Sequence, residues 1–156
     1  MKRRALLFFL LLLMLWAPTI CSAEWKLLDG KLHESEFGTK YYVETKMSYA
    51  EMSSTKNPIV LFWGKVVFNG KSDPAYSKLL TIGCSPETAA VEMKYRLDIN
   101  NKKAATVYGV LYDAKGRILS TDETKNAEYS PILPGTGSEV VWAMIKDMHE
   151  KGAISR

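Results

Sequence analysis

The sequence is poor in the side chains that most often build metal sites and nucleophilic catalytic pairs. Its 156 residues include two cysteines and two histidines. His33 and His149 stand at opposite ends of the chain, each without a second imidazole or a thiol at the short spacing that metal sites usually show. Nothing around Cys84 resembles a nucleophile motif. We therefore expect no metal, no cofactor and no catalytic residues, and we expect that the protein is not an enzyme.

Phosphate-binding and acid–base motifs are missing as well. No glycine-rich loop has the spacing that cradles a phosphate. The acidic side chains show no pairing in the sequence that would mark general acid–base work, so we expect them to be solvated strand-face or turn residues. These are Glu44, Glu92, Asp98, Asp113 and Asp122.

Only one long apolar run occurs, at the amino terminus. Basic residues 2–4 precede the run from Ala5 to Ala17, and small residues stand at 21 and 23. This layout predicts a secretory signal peptide over 1–23, cleaved at its end. Its apolar core is shorter than the about 20 residues that span a bilayer, so we expect no transmembrane segment after cleavage. Lipidation of Cys21 is an alternative, but it requires a small preceding residue and Ile20 is not small.

Cleavage changes the bulk properties of the chain. Removing 23 of the 156 residues leaves 133, which suits a single domain over 24–156. It also removes three of the 21 basic residues and no acidic one, so 18 basic residues face 17 acidic ones and the net charge is +1. A near-neutral chain gives no electrostatic argument for binding nucleic acid or an anionic membrane.

Cys84 is the one cysteine left after cleavage, so the mature chain cannot form an internal disulfide. The simplest expectation is a buried, inert thiol. A reactive thiol and a bridge between two copies are the alternatives for an exported protein.

Alternation of apolar and charged residues predicts the centre of the fold. From Ala89 to Ile99 nearly every second residue is apolar and most of those between are charged. This alternation indicates a strand with one buried and one solvent-exposed face. A polar turn at 100–103 leads into a β-rich strand over 104–112. Asp and Gly at the ends of 113–116 suit a type I turn before a strand over 117–120. Together these segments predict a three-stranded antiparallel meander.

Three further strands are predicted, over residues 24–28, 39–45 and 59–69. Even-numbered residues of the last should face the core, with Trp63 and Lys65 on the other face, and Gly64 predicts a bulge or a bend. The segment 76–83 is too short to separate strand from helix by its period, and 46–57 has no clear pattern.

The carboxyl-terminal region has the pattern of an amphipathic helix. Thr136 and Glu139 have capping-box spacing, with Ser138 as a competing N-cap, and Gly152 is a suitable stop. Four apolar residues form one stripe: Val141, Met144, Ile145 and Met148. The prediction is an α+β domain in which five to six mainly antiparallel strands are covered on one face by this helix.

Aromatic residues supply the one candidate recognition surface. If Trp63, Tyr108 and Tyr112 share an exposed face, they could form a binding surface, since aromatic side chains are favoured at interface hot spots. The alternative is that they pack beneath the helix or a loop.

Several short segments stand in an order that carries a resemblance. They are Glu24-Trp25 after the signal, Thr39-Lys40-Tyr41-Tyr42-Val43, Leu61-Phe62-Trp63-Gly64-Lys65, the segment Tyr112–Leu119, and Pro131-Ile132-Leu133-Pro134-Gly135 before the last helix. In this order the chain resembles the surface-adhesin protein E family, small exported proteins of Gram-negative bacteria.

The resemblance implies an antiparallel sheet with a carboxyl-terminal helix on its concave face. It also implies an exported, non-enzymatic binding protein, since the named member binds host extracellular-matrix and plasma proteins. Many members tie the helix to the sheet with two cysteines. Here the matching strand position holds Asn100 and the helix has no cysteine. The apolar stripe is therefore expected to hold the helix alone.

Two functions are consistent with these observations. The first is a protein-binding module of the periplasm or outer cell surface, with an unidentified protein partner and with homodimerisation through a sheet edge as one arrangement. The second is a periplasmic protein whose concave sheet binds a small apolar ligand, or an enzyme that the sequence does not reveal. An apolar pocket between helix and sheet would favour the second; a full core with exposed outer aromatics would favour the first.

Overall fold

The computed structural model describes residues 24–28, 38–71, 74–81 and 83–155. The signal peptide predicted over 1–23 and the loop that contains His33 lie outside these ranges. In chain order the elements are β1 (Trp25–Leu27), β2 (Lys40–Glu44), β3 (Ser48–Tyr49), β4 (Ile59–Val67), α1 (Pro74–Thr81), β5 (Ala90–Asp98), β6 (Lys103–Tyr112), β7 (Ile118–Glu123), β8 (Ser130–Pro131) and α2 (Gly137–Glu150). Within these ranges no helix has the length and apolarity that crossing a membrane requires.

One antiparallel sheet contains all eight strands. Its main order is β1-β2-β4-β5-β6-β7, with β3 beside β4 and β8 beside β6. The α+β class and the meander of β5, β6 and β7 are as predicted. The sheet has more strands than the five to six expected because β3 and β8 are two residues long, too short to show alternation.

The predicted bulge at Gly64 is wrong. Pairing of β4 with β5 runs without a register shift from Ile59 to Val67. The irregularities lie between β5 and β6 and between β6 and β7. Gly64 serves a different purpose: a Cβ atom there would lie 3.1 Å from Cε2 of Tyr95, so the glycine makes room for that ring.

The segment for which both strand and helix were considered forms α1. Tyr76 of this helix is buried, and its ring centroid lies 5.8 Å from that of Phe68, just after β4. Its hydroxyl donates to the carbonyl of Pro86 at 2.6 Å. The helix is therefore anchored against the end of β4 by one aromatic residue.

The apolar stripe of α2 packs on the sheet as predicted. Ile145 is completely buried, and Val141, Met144 and Met148 pack against the same core. This core joins the helix to Val43, Val60, Phe62 and Leu97 of the strands and to Ile99 just after β5. Burying a side chain such as Ile145 contributes roughly 1.5–3 kcal/mol, so the stripe is a main source of helix docking.

The two ends of α2 differ in how well their caps were predicted. Gly152, with φ of +68°, ends the helix, and the N–H groups of Gly152 and Ala153 donate to His149 and Met148 carbonyls. This pattern is a Schellman cap. The capping box is not formed, because the Thr136 hydroxyl donates to the carbonyl of Leu133 instead of capping the helix.

Polar contacts, as well as the apolar stripe, hold α2 on the sheet. Near the amino end of α2, the indole N–H of Trp142 donates to the carbonyl of Ile99 at 2.9 Å. The Lys102 ammonium lies 4.7 Å from the Trp142 ring centroid and forms an ion pair with Glu139. Because Lys102 belongs to the turn before β6, these contacts fasten the helix to the sheet. The expectation that the stripe holds the helix unaided is wrong.

The carboxyl end of α2 is fastened separately. The Tyr49 hydroxyl and His149 Nδ1 are 2.6 Å apart, and their rings meet edge to face. Beyond the helix, the Ser155 hydroxyl donates to the carbonyl of Met47 at 2.7 Å. The helix is thus tied to β3 and its neighbours as well as to the central strands.

Two carboxylates expected to be solvated are buried instead. Asp98 accepts hydrogen bonds from the backbone and side-chain N–H groups of Asn101. Asp113 accepts from the backbone N–H groups of Lys115 and Arg117 and from Arg117 Nε. Each carboxylate satisfies the donors of a turn, which explains why it is buried.

Acid should destabilise the fold through Asp113 and Glu139. Hydrogen bonds from Arg117 hold the pKa of Asp113 below its usual value, and the Lys102 ammonium does the same for the pKa of Glu139. A lowered folded-state pKa stabilises the fold fully above the ordinary carboxyl pKa of about 4, and the stabilisation is lost as pH falls through the folded-state value. We expect the Tm to change little above pH 5 and to fall below about pH 4.

The matched variant is Asp113→Asn combined with Glu139→Gln. Thermal melts followed by circular dichroism from pH 7 to pH 2 should show a smaller acid-induced fall for it than for the wild type. Equal falls in the two proteins would contradict this assignment.

Candidate functional site

The two faces of the sheet differ in chemistry. We call the face that α2 covers the inner face; it carries Val43, Phe62 and Leu97. The opposite side is the outer face, and it carries the residues between these in each strand, including Trp63 and Lys94. Each face holds one depression large enough for a ligand.

Two of the three predicted recognition residues meet on the outer face. Trp63 pairs in register with Lys94, and Lys94 with Tyr108. The Trp63 and Tyr108 rings meet edge to face with centroids 5.8 Å apart, and the Lys94 ammonium lies 6.0 Å from the indole centroid. Burial raises the pKa of Glu44, and the positive charge of Lys94 opposes that rise. In the row formed by Trp63, Lys94 and Tyr108, aromatic and charged side chains alternate from strand to strand.

Tyr112 lies on the same face but in a neighbouring cluster. Its hydroxyl donates to Glu92 Oε2 at 3.1 Å, and the Lys65 ammonium donates to Glu92 Oε1 at 2.8 Å. The Lys65 ammonium also lies 5.4 Å from the ring centroid of Trp25, which was not among the predicted recognition residues. Burial, followed by the charge of Glu92, raises the pKa of Tyr112.

The outer depression is a shallow groove of about 530 Å³ beside Trp63 and Tyr108. Lys94, Arg96, Glu123 and Lys125 also line it, so its walls are mixed in polarity. The three predicted aromatic residues thus share one half-buried face and do not lie beneath α2. Their role in recognition stays a prediction.

The inner depression is a cleft of about 540 Å³ between the sheet and the amino-terminal turn of α2. We call it the inner cleft. The described residues that line it are Leu28, Tyr41, Tyr42, Val43, Phe62, Gly64, Lys65, Val66, Met93, Tyr95, Leu97, Ala104, Ile132, Gly137, Ser138 and Val141. Its size falls within the range of small-molecule sites, and its lining is mainly apolar.

Small residues keep the inner cleft open. The first turn of α2 contributes Gly137 and Ser138, and the facing sheet contributes Gly64 and Ala104. A glycine in the middle of a strand loses packing and conformational entropy relative to other residues. Gly64 has neighbours in register on both sides and is not at a bulge, so its small size is what the site requires.

The inner cleft presents little charge. Lys65 is the one charged residue among its described lining residues, and its ammonium is bound to Glu92. The buried hydroxyl of Tyr95 is a polar group in an apolar setting, and desolvation raises the pKa of Tyr95 to about 12. This mainly apolar arrangement of the described lining residues suits binding of an apolar molecule.

Groups that could support other chemistry lie apart from the inner cleft. In the described ranges no three His, Cys, Asp or Glu side chains come together as a metal site would require. His149 is bound to Tyr49 at the far end of α2. Cys84 is a free thiol that is half-buried, so the expectation of full burial is wrong.

One feature of the sequence bears on the inner cleft, although it was interpreted as a bulge or a bend. An interrupting glycine in an apolar strand, Gly64, is typical of a bulge and also of close approach by a ligand or another group. The other lining residues come from distant parts of the chain and have no shared motif.

The comparisons with known proteins concern the fold. No protein-family model matches the sequence, and no curated protein sequence matches it. The crystal structure of protein E from non-typeable Haemophilus influenzae matches with a TM-score of 0.56 and 14% sequence identity, covering 89% of this chain and 86% of that one. A second structure of Haemophilus influenzae protein E matches with a TM-score of 0.49 and 16% identity, covering 85% and 89%. The first match supports a protein E-like fold, in agreement with the resemblance in the sequence; at this identity it does not establish family membership or function.

Proposed function

We propose that this protein is an exported, non-enzymatic binding protein of the cell envelope whose inner cleft holds a small apolar ligand. The observation that carries the proposal is the inner cleft itself: about 540 Å³ of mainly apolar space beside a fully buried core. A chain that only needed a stable core would gain from filling this space, because each buried methylene contributes about 0.8 kcal/mol. Export is supported by the amino-terminal sequence, and the proposal holds for the periplasm and for the cell surface.

The site is tested by locating a bound probe with methyl NMR. N-phenyl-1-naphthylamine is uncharged and apolar, and we expect it to bind with a Kd on the order of 10 µM. Its addition should shift the methyl signals of Val66, Val141 and Met93, which line the inner cleft. The signals of Val107 and Val110 on the outer side of β6 serve as internal controls and should not move. No shifts, or shifts limited to the control methyls, would contradict the proposal.

A second candidate function is recognition of an envelope or extracellular protein through the outer face. The observation that favours it is the contact of Trp63 with Tyr108 on the outer face, since aromatic residues are enriched at protein interfaces and at their hot spots. A Trp63→Ala variant separates the two functions: it should lose binding of a protein partner and keep binding of N-phenyl-1-naphthylamine.

A further inference from the structure

The position of Tyr95 bears on what the inner cleft can hold. Its ring stacks on Phe62, with centroids 5.2 Å apart and planes 22° from parallel, and it lies over Gly64. The hydroxyl donates to the sulfur of Met93 at 3.3 Å. All four residues line the inner cleft, so this hydrogen bond joins two residues of its wall.

The partner of this hydroxyl is a poor one. A thioether sulfur is a weak hydrogen-bond acceptor compared with a carbonyl, ether or hydroxyl oxygen. A buried donor without a good acceptor is costly, and Met93 is among the most adaptable of side chains. A ligand oxygen that reached the Tyr95 hydroxyl would therefore replace a weak hydrogen bond with a stronger one.

Charged ligands do not suit the inner cleft. Its one lining cation, Lys65, already binds Glu92 on the outer face, and no carboxylate lines the described part of the cleft. The partial positive charge at the amino end of α2 is also neutralised by the Glu139 carboxylate in its first turn. This carboxylate accepts the N–H of Gly135 and pairs with Lys102. A charge on the ligand would be desolvated without a partner.

We propose that the ligand is an uncharged, mainly apolar molecule with one hydrogen-bond acceptor, and that Tyr95 determines this specificity by donating to it. The inference rests on the proposed function of the inner cleft and adds the chemical class of its ligand. The raised pKa of Tyr95, about 12, agrees with a phenol that remains a donor throughout the physiological pH range.

The test uses three molecules with one ring system. Naphthalene has no polar group, 2-methoxynaphthalene adds an acceptor, and 2-naphthoate adds a negative charge. Their affinities are measured by displacement of N-phenyl-1-naphthylamine fluorescence from the wild type and from a Tyr95→Phe variant. We expect the methoxy compound to bind the wild type about fivefold more tightly than naphthalene, and 2-naphthoate to bind at least roughly tenfold more weakly.

In Tyr95→Phe the advantage of the methoxy group should disappear while the affinity for naphthalene stays the same. Unchanged naphthalene affinity shows that the variant is folded and that its cleft is intact. A methoxy advantage that persists in Tyr95→Phe, or tightest binding by 2-naphthoate, would overturn the inference and leave the proposed function standing. Failure of the wild type to bind the probe and all three molecules would overturn both.

Discussion

Ile145→Asp is expected to unfold the domain or to lower its Tm by about 15 °C or more. Ile145 is completely buried at the centre of the contact between α2 and the sheet. The substitution removes an apolar side chain worth about 1.5–3 kcal/mol and places a carboxylate where no described cation can reach it without disrupting the core. A loss of about 4 kcal/mol is a large share of the 5–15 kcal/mol that stabilises a typical domain.

The matched control is Ala143→Asp on the same helix. Ala143 is exposed, so the same new carboxylate stays hydrated and costs only the difference in helix propensity, about 0.7 kcal/mol. Thermal denaturation followed by circular dichroism compares the two variants with the wild type. An Ile145→Asp protein that melts with the wild type would show that α2 is not part of the cooperative core.

The sequence predicted those strands and helices whose pattern of apolar residues lies within one continuous segment. The alternation around β5 follows from a strand with one buried face, and the stripe through Ile145 follows from the helical period. Both segments were predicted with nearly correct bounds. Gly152 also ends α2 as its φ of +68° requires.

Contacts between distant residues were beyond the reach of those patterns. Lys102 and Trp142 lie forty residues apart, and Tyr49 and His149 lie 100 apart. Nothing in a local window shows that such side chains will meet, so the polar contacts that hold α2 on the sheet were not predicted. Two-residue strands such as β3 pair only because β4 is already in place.

The candidate site also combines features that local patterns predict with features that depend on contacts between distant residues. The shared face of Trp63 and Tyr108 follows from strand alternation, although their ring contact depends on the register between β4, β5 and β6. The inner cleft arises where residues from several elements leave space unfilled. Space left by small residues on separate elements has no sequence period, so the lining could not be predicted, and Gly64 was interpreted as a bulge or a bend.

Gly64→Val should weaken ligand binding at least roughly tenfold while the sheet remains folded. A Cβ atom at Gly64 would lie 3.1 Å from Cε2 of Tyr95. The valine side chain would push that ring into the inner cleft and add its own two methyl groups to the floor. Valine suits a strand better than glycine does, so the far-ultraviolet circular dichroism should remain that of a folded sheet.

The neighbouring glycine provides the control. Met93 pairs in register with Gly64 on one side and with Gly109 on the other, so both glycines belong to one row of the inner face. A Cβ atom at Gly109 would meet nothing within 4 Å, and Gly109 is not among the residues that line the inner cleft. Gly109→Val is therefore the same substitution in the same row outside the site.

Fluorescence titration of N-phenyl-1-naphthylamine into these proteins tests most directly whether the inner cleft is a binding site. The wild type and Gly109→Val should bind with similar affinity, and Gly64→Val should bind at least roughly tenfold more weakly, a loss of about 1.4 kcal/mol. Equal affinity in all three folded proteins would place the probe elsewhere and contradict the account.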